Sequence, residues 1–419
     1  MKQGRIGRNR NGREGRRSGA FISALALAAA LSAVAVPIAA APQSAAAAQA
    51  RPAKVSAHAG PLSPAAIAAI DRIVDQLIEG GATPGMVVGI SVNGAPAFVR
   101  GYGSADLEDN IPVTDRTVFR IGSLTKQFTA AALLLLVEDG KVSVDDPLAR
   151  YFPDFPRGDE VTLRQLLTHT SGIHNYTAVK EYFPTLGRQD LTTEEMVDYI
   201  TKLDTLYDFD PGTGYNYSNS GYYLLGAIIE KVSGQPFAAF LKARLLVPLG
   251  LHDTAVDDTS EIVPNRANGY SAVAGAPGKF TNATYIAMSA AGAAGAMRST
   301  AHDLLAWEKA LLGGKVLKPA SLAMMLAPGK LSNGQSSSTA MKSSDGRAPF
   351  EYGFGILTDQ DAAGRRMIGH GGAIQGFNAY IRTLPEENVA IAVLANGSGG
   401  AALSNGPKLI EALFDAGRN

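Results

Sequence analysis

Ser123 and Lys126 stand three residues apart in Ser123-Leu124-Thr125-Lys126, which puts a hydroxyl and an amine on one face if the segment is helical. The chemistry this could support is nucleophilic. A free serine hydroxyl is almost fully protonated at neutral pH and needs a neighbouring base to attack a carbonyl. Phe119-Arg120-Ile121 reads as an extended approach, Gly122 as a pivot, and the apolar run Thr129 to Val137 as a buried helix closed by Gly140. Ser123 would then lie at the positive end of a helix dipole, where developing negative charge is favoured. Taken alone the pattern is weak, because an N-cap serine followed by a solvated lysine reads the same way.

Two further elements follow in order. Tyr217-Ser218-Asn219 adds a phenol and a carboxamide, and His370-Gly371-Gly372 adds an imidazole followed by two residues without side chains. The chain holds one S-x-x-K and one Y-x-N, so there is no choice among candidates. Together the three elements resemble the serine penicillin-recognising family: class C β-lactamases, low-molecular-mass DD-peptidases and related esterases, whose third element is Lys-Thr-Gly or a His-containing variant. The resemblance runs from about Pro61 to the C-terminus. It includes Leu163-Arg164-Gln165-Leu166-Leu167-Thr168-His169-Thr170-Ser171-Gly172, Pro211-Gly212, Pro248-Leu249-Gly250-Leu251, Ser299-Thr300-Ala301-His302-Asp303-Leu304 and Tyr352-Gly353-Phe354-Gly355.

On this reading Ser123 is the nucleophile. Lys126 either takes its proton as a neutral amine or stays charged beside a second base. Tyr217 is the alternative base and the acid for the leaving group, its pKa expected to fall below about 10 near Lys126 and His370. Asn219 orients Lys126 and the substrate amide. His370 stands where the family often has a permanently charged lysine. With an ordinary pKa of about 6.5, it is expected to change charge across the working range and to hold a substrate carboxylate less firmly at high pH. Gly371 and Gly372 are expected to clear a path for the substrate backbone, and the N–H groups of Ala373 and Ser123 to form an oxyanion hole.

The elements that must position these groups are legible at both ends of the chain. Ser63-Pro64 opens a helix with apolar residues at helical spacing to Gly80-Gly81. Met86 to Val92, Asn93-Gly94 and Ala95 to Arg100 form a hairpin, and Asn378 to Leu384 with Val389 to Leu394 form another. A last helix is expected from about Ser404 to Ala416. Strands at both ends around a helical middle predict an α+β fold: one antiparallel sheet flanked by N- and C-terminal helices, with a mostly helical subdomain inserted. The resemblance implies the same β-lactamase/transpeptidase-like arrangement. The expected division is an α/β part at about 61–140 and 296–419, and a helical part at about 141–295. The segment from Pro328 to Pro349, rich in Gly and Ser, reads as a mobile surface loop.

Residues 1–17 carry seven Lys or Arg against Glu14, and Ala20 to Ala41 is uncharged and apolar, the form of an export signal. Ala48-Gln49-Ala50 offers a small-x-small cleavage site, so 1–50 reads as signal and 51–60 as linker. Arg16-Arg17 raises a twin-arginine route beside general secretion. An uncleaved anchor is the alternative, since about 20 apolar residues span a bilayer. Cleavage, leaving no stable membrane span, predicts a periplasmic or secreted protein. The remaining chain has 31 Lys plus Arg against 37 Asp plus Glu, a poor composition for binding nucleic acid. Cysteine is absent, which excludes disulfides, thiolate metal sites and a cysteine nucleophile. His58, His169, His174, His252 and His302 show no metal spacing, and no glycine loop between strand and helix calls for a nucleotide, so neither metal nor cofactor is expected. The expected activity is acyl transfer on D-alanyl peptide amides or small esters, with peptidoglycan a candidate partner. A class C-like β-lactamase and a non-catalytic penicillin-binding receptor are the alternatives.

Overall fold

The computed structural model describes residues 62–341 and 350–416. The segments expected to be an export signal, its cleavage site and a linker lie outside the described residues, as does 342–349.

Eight strands form one antiparallel sheet. Across it run Ile111–Pro112, Ala95–Asp106, Gly85–Val92, Val389–Ala395, Phe377–Leu384, Arg366–Ile374, Leu357–Gln360 and Glu351–Tyr352. The first and last parts of the chain thus meet at its centre, where Val87 pairs with Leu394 and Ile90 with Ile391. Asn93 (φ 53°) and Gly94 (φ 70°) make the tight turn of the first hairpin, as the dipeptide predicts. The second hairpin pairs Leu384 with Val389. The sequence reading missed a third, in which Gln375-Gly376 joins Ile374 to Phe377.

Both sheet faces are covered, so the central strands are buried at nearly every position rather than at alternate ones. Val88, Ile90, Tyr380, Ile391 and Val393 face Ile70 and Val74 of helix Pro64–Glu79 and Leu409 and Ile410 of helix Ala401–Asp415. Val87, Ala379, Ile381, Ala392 and Leu394 face the larger core shared with the helical region. The first helix begins where expected, with the Ser63 hydroxyl accepting from Ala66 N–H. The last starts at Ala401, a turn earlier than read, and runs through Pro407.

Helix Thr125–Glu138 is buried on all sides from Thr125 to Leu136, the property of a helix inside a core rather than on its rim. Against it pack helices Asn219–Ser233 and Met288–Gly295 from the middle of the chain. That middle region also holds short strands, among them Ala255–Val256, which joins Phe119–Arg120 and Met297–Ser299 in a small sheet leading into Gly122.

The segment expected to be a mobile loop is tied down up to residue 341. Gly329 N–H bonds Tyr352 O, Ser332 N–H bonds Gly212 O, and Ser337–Ala340 forms a 3-10 turn. Glycine and serine here supply turn geometry and side-chain caps rather than freedom.

Candidate active site

Ser123 sits in a 3-10 turn, Gly122–Leu124, that runs straight into helix Thr125–Glu138. Its N–H belongs to the first turn, where helical donors have no intrahelical acceptor. Gly122 has φ 51°, and a Cβ there would stand 2.8 Å from N, C and O of Ala373, so only glycine lets the turn lie against the Arg366–Ile374 strand.

Lys126 is fully buried, and its Nζ is met on three sides: Ser123 Oγ at 3.2 Å, Asn219 Oδ1 at 2.7 Å and the Ala294 carbonyl at 2.7 Å. The same nitrogen lies 4.8 Å from the centre of the Tyr217 ring and 5.4 Å from that of Tyr222. Burial holds this amine well below its ordinary pKa. Asn219 is fixed by its own contacts. Its Nδ2 donates to Thr177 Oγ1 at 2.9 Å, and Thr177 Oγ1 in turn donates to Asn175 Oδ1 at 2.9 Å, so the carboxamide oxygen is left for Lys126.

The Tyr217 hydroxyl is buried and has no hydrogen-bond partner of good geometry among the described residues. Desolvation pushes its pKa above the ordinary value, with Ser123 the group that opposes the shift. This corrects the expectation of a lowered phenol. Burial lowers the pKa of both groups that were to stabilise a phenolate, Lys126 and His370, and it dominates at the phenol too.

His370 is the second correction. Its Nδ1 bonds the Gly371 carbonyl, which can only accept, so Nδ1 carries the proton and Nε2 accepts from Tyr352 Oη at 3.0 Å. Both ring nitrogens are thus occupied by protein groups. Burial and the nearby Lys126 lower its pKa to about 3. The ring stays neutral across the physiological range and is no carboxylate anchor. Because the unfolded imidazole takes up a proton near its ordinary pKa of about 6.5 and the folded one does not, the stability His370 contributes is complete above pH 6.5 and drains as pH falls toward 3. We expect its ring proton shifts in an NMR titration to stay unchanged from pH 8 to 5; an inflection inside that range would contradict the assignment.

Gly371 and Gly372 also act differently from expectation. A Cβ on Gly372 would lie 1.9 Å from Ile121 O, and one on Gly371 would lie 2.5 Å from Leu403 Cδ2. Strand side chains project from the two sheet faces, so these glycines make room for the nucleophile turn and the C-terminal helix, not for a ligand at the edge. The edge itself is open: pairing with Leu357–Gln360 stops at Gly369. The two-residue turn at Gln375-Gly376 makes 374/377, 372/379 and 370/381 the pairs that exchange hydrogen bonds. The N–H of Ala373 therefore points outward, on the side of Ser123, and Ala373 is exposed.

A cleft of about 380 Å³ opens at Ser123, bordered by Thr177, Asn219, Ala294, Ala373 and Gln375. A larger one of about 520 Å³ behind helix Met288–Gly295 holds none of these groups. Asn175, Thr177 and Ala294 escaped the sequence reading, and Tyr352 entered it only within the family-like Tyr352-Gly353-Phe354-Gly355, with no role at the site. An Asn-x-Thr turn starter at 175–177 was the one available signal. His169 also joins the ring cluster, 4.2 Å from Tyr217, with Nδ1 accepting from Ser218 N–H at 3.1 Å. His174 bonds Asp208, and no group of metal-binding side chains occurs among the described residues.

An antiparallel sheet covered by helices, with a serine hydroxyl touching a desolvated amine at the sheet's open edge, is the architecture of a serine hydrolase built on the transpeptidase-like fold. The chain belongs to the beta-lactamase family, whose family model matches residues 70–413. It is similar to penicillin-binding protein 4* of Bacillus subtilis, 28% identical over 305 residues that cover 70% of this chain and 64% of that protein. The chain thus spans less than two thirds of that relative's length. Among solved structures it is similar to D-stereospecific amidohydrolase from Streptomyces sp. (TM-score 0.70, 30% identity, 83% of this chain and 98% of that one). A D-amino acid amidase from Ochrobactrum anthropi SV3 gives TM-score 0.71 and 29% identity, over 84% of this chain and 99% of that one.

Proposed function

We propose that this protein is an exported hydrolase that works through an acyl-enzyme on Ser123, with D-alanyl or other D-amino-acyl amides and small esters as substrates. The observation that carries the reading is the environment of Lys126. A neutral amine has two N–H donors and one lone pair. Asn219 Oδ1 and Ala294 O can only accept, so they use both donors and leave the lone pair directed at Ser123 Oγ. Desolvation favours that neutral form. Lys126 is then the base that takes the serine proton as Oγ attacks the carbonyl carbon. The oxyanion is met by the N–H groups of Ser123 and Ala373. Tyr217, a phenol held above its ordinary pKa, passes the proton from the amine to the leaving group. Water, or an amine, releases the acyl group by the reverse sequence, and the proton returns to Ser123.

The D-amino acid amidase and amidohydrolase likenesses support the amide reading, and the neutral His370 weighs against a dedicated β-lactamase. Peptidoglycan is a candidate natural source of such amides. Export rests on the basic and Ala-rich N-terminus, and no helix among the described residues is long and apolar enough to cross a membrane.

A side-by-side panel tests this with p-nitrophenyl acetate, a D-amino acid amide, a D-Ala-D-Ala peptide and nitrocefin. Turnover of the ester or the D-amino-acyl amides, abolished in Ser123→Ala, is the expected result. Faster turnover of nitrocefin would assign a β-lactamase, and stable labelling by penicillin with no turnover a receptor.

A further inference from the structure

The cleft at Ser123 has an unusual lining for a site that handles peptides. No Asp, Glu, Lys, Arg or His lines it among the described residues. Its apolar wall is Tyr182, Phe183, Ile286 and Ile374, and its polar groups, including Gln375 and Ser398, are uncharged. Lys126 lies behind Ser123 with its amine already engaged, and both nitrogens of His370 are taken by Tyr352 and Gly371. Nothing described in the cleft can pair with a carboxylate or an ammonium group on the substrate.

Resting on the acyl-enzyme reading above, and narrowing its amides to those without a free amino group, we propose that the substrate is uncharged on the acyl side of the scissile bond: a neutral apolar ester, or an amide whose amino group is itself acylated. A charge brought into such a cleft gives up hydration without meeting an opposite charge. Uncharged amide groups, in contrast, can hydrogen-bond the carboxamide of Gln375.

Three p-nitrophenyl esters of one chain length separate the possibilities: the hexanoate, the ω-carboxylate adipate half-ester and the 6-aminohexanoate. For the full chain, kcat/KM for the hexanoate is expected to exceed that of each charged ester by about tenfold or more. Gln375→Arg should raise the adipate-to-hexanoate ratio by about tenfold, because it supplies the missing cation at the rim. Discrimination below tenfold, or a ratio that Gln375→Arg leaves unchanged, overturns the proposal. Mass spectrometry of the acylated chain keeps the two levels apart. If all three esters acylate Ser123 alike, this proposal fails and the acyl-enzyme stands; if none leaves an acyl group on Ser123, both fail.

Discussion

Lys126→Met lowers the rate of Ser123 acylation by roughly 10³-fold or more while the protein stays folded, in numbers typical of removing a group that acts as a unit with its nucleophile. Methionine keeps the length and apolar stem of lysine and deletes the amine that burial makes expensive. Its cost is two acceptors, Asn219 Oδ1 and Ala294 O, left without a donor, about 1–3 kcal/mol each. Part of that is returned by no longer burying an amine. Lys126→Arg is the discriminating partner. A guanidinium remains charged and has no lone pair, so it is expected to be as inactive as methionine. If arginine preserved acylation, Lys126 would be acting through its charge, and the base would have to be Tyr217. The measurement is the second-order rate of labelling by a fluorescent penicillin or a fluorophosphonate, read beside the thermal midpoint.

The second large effect falls on a residue with no chemistry. Gly372→Ala places a methyl 1.9 Å from the backbone oxygen of Ile121, which belongs to the segment that aims Ser123. Backbone cannot rotate aside as a side chain does. The substitution is expected to cost about 3 kcal/mol or more in urea unfolding and to abolish acylation together with stability. Gly371→Ala is the control one position away. Its methyl meets the free end of Leu403, which has other rotamers, so a loss of about 1 kcal/mol is expected with the nucleophile undisturbed. Equal losses at the two positions would mean that the contact between strand and turn does not govern the site.

What the sequence made legible follows from the range of the forces involved. Ser123 and Lys126 are coupled by a local rule, three residues along one helix, and the Asn93-Gly94 turn is fixed by the backbone preferences of two residues. Such features survive without knowledge of the rest. Tyr217 and Asn219 could be placed only through the resemblance, and the structure brings Asn219 to Lys126 from 93 positions away.

His370 was misread because its hydrogen bonding depends on Tyr352, 18 residues back, and its charge on a burial that no local pattern reports. Tyr217 was misread for the same reason: burial, a property of the assembled core, outweighed the cations assumed to be near it. The roles of Gly371 and Gly372 required knowing which layers lie above and below their strand. The loop at 328–341 looked free because serine and glycine leave no hydrophobic pattern, although their backbone bonds tie it to Tyr352 and Gly212.

One of the tethers on Lys126 comes from the peptide group of Ala294. Every amino acid supplies that oxygen, so no point substitution there can delete it. Helix Met288–Gly295, built of Met, Ser, Ala and Gly, gives Ala290, Ala291 and Ala294 to the cleft. Its side chains border the cleft while its backbone anchors the proton-handling amine, so a single helix serves selectivity and chemistry through different atoms.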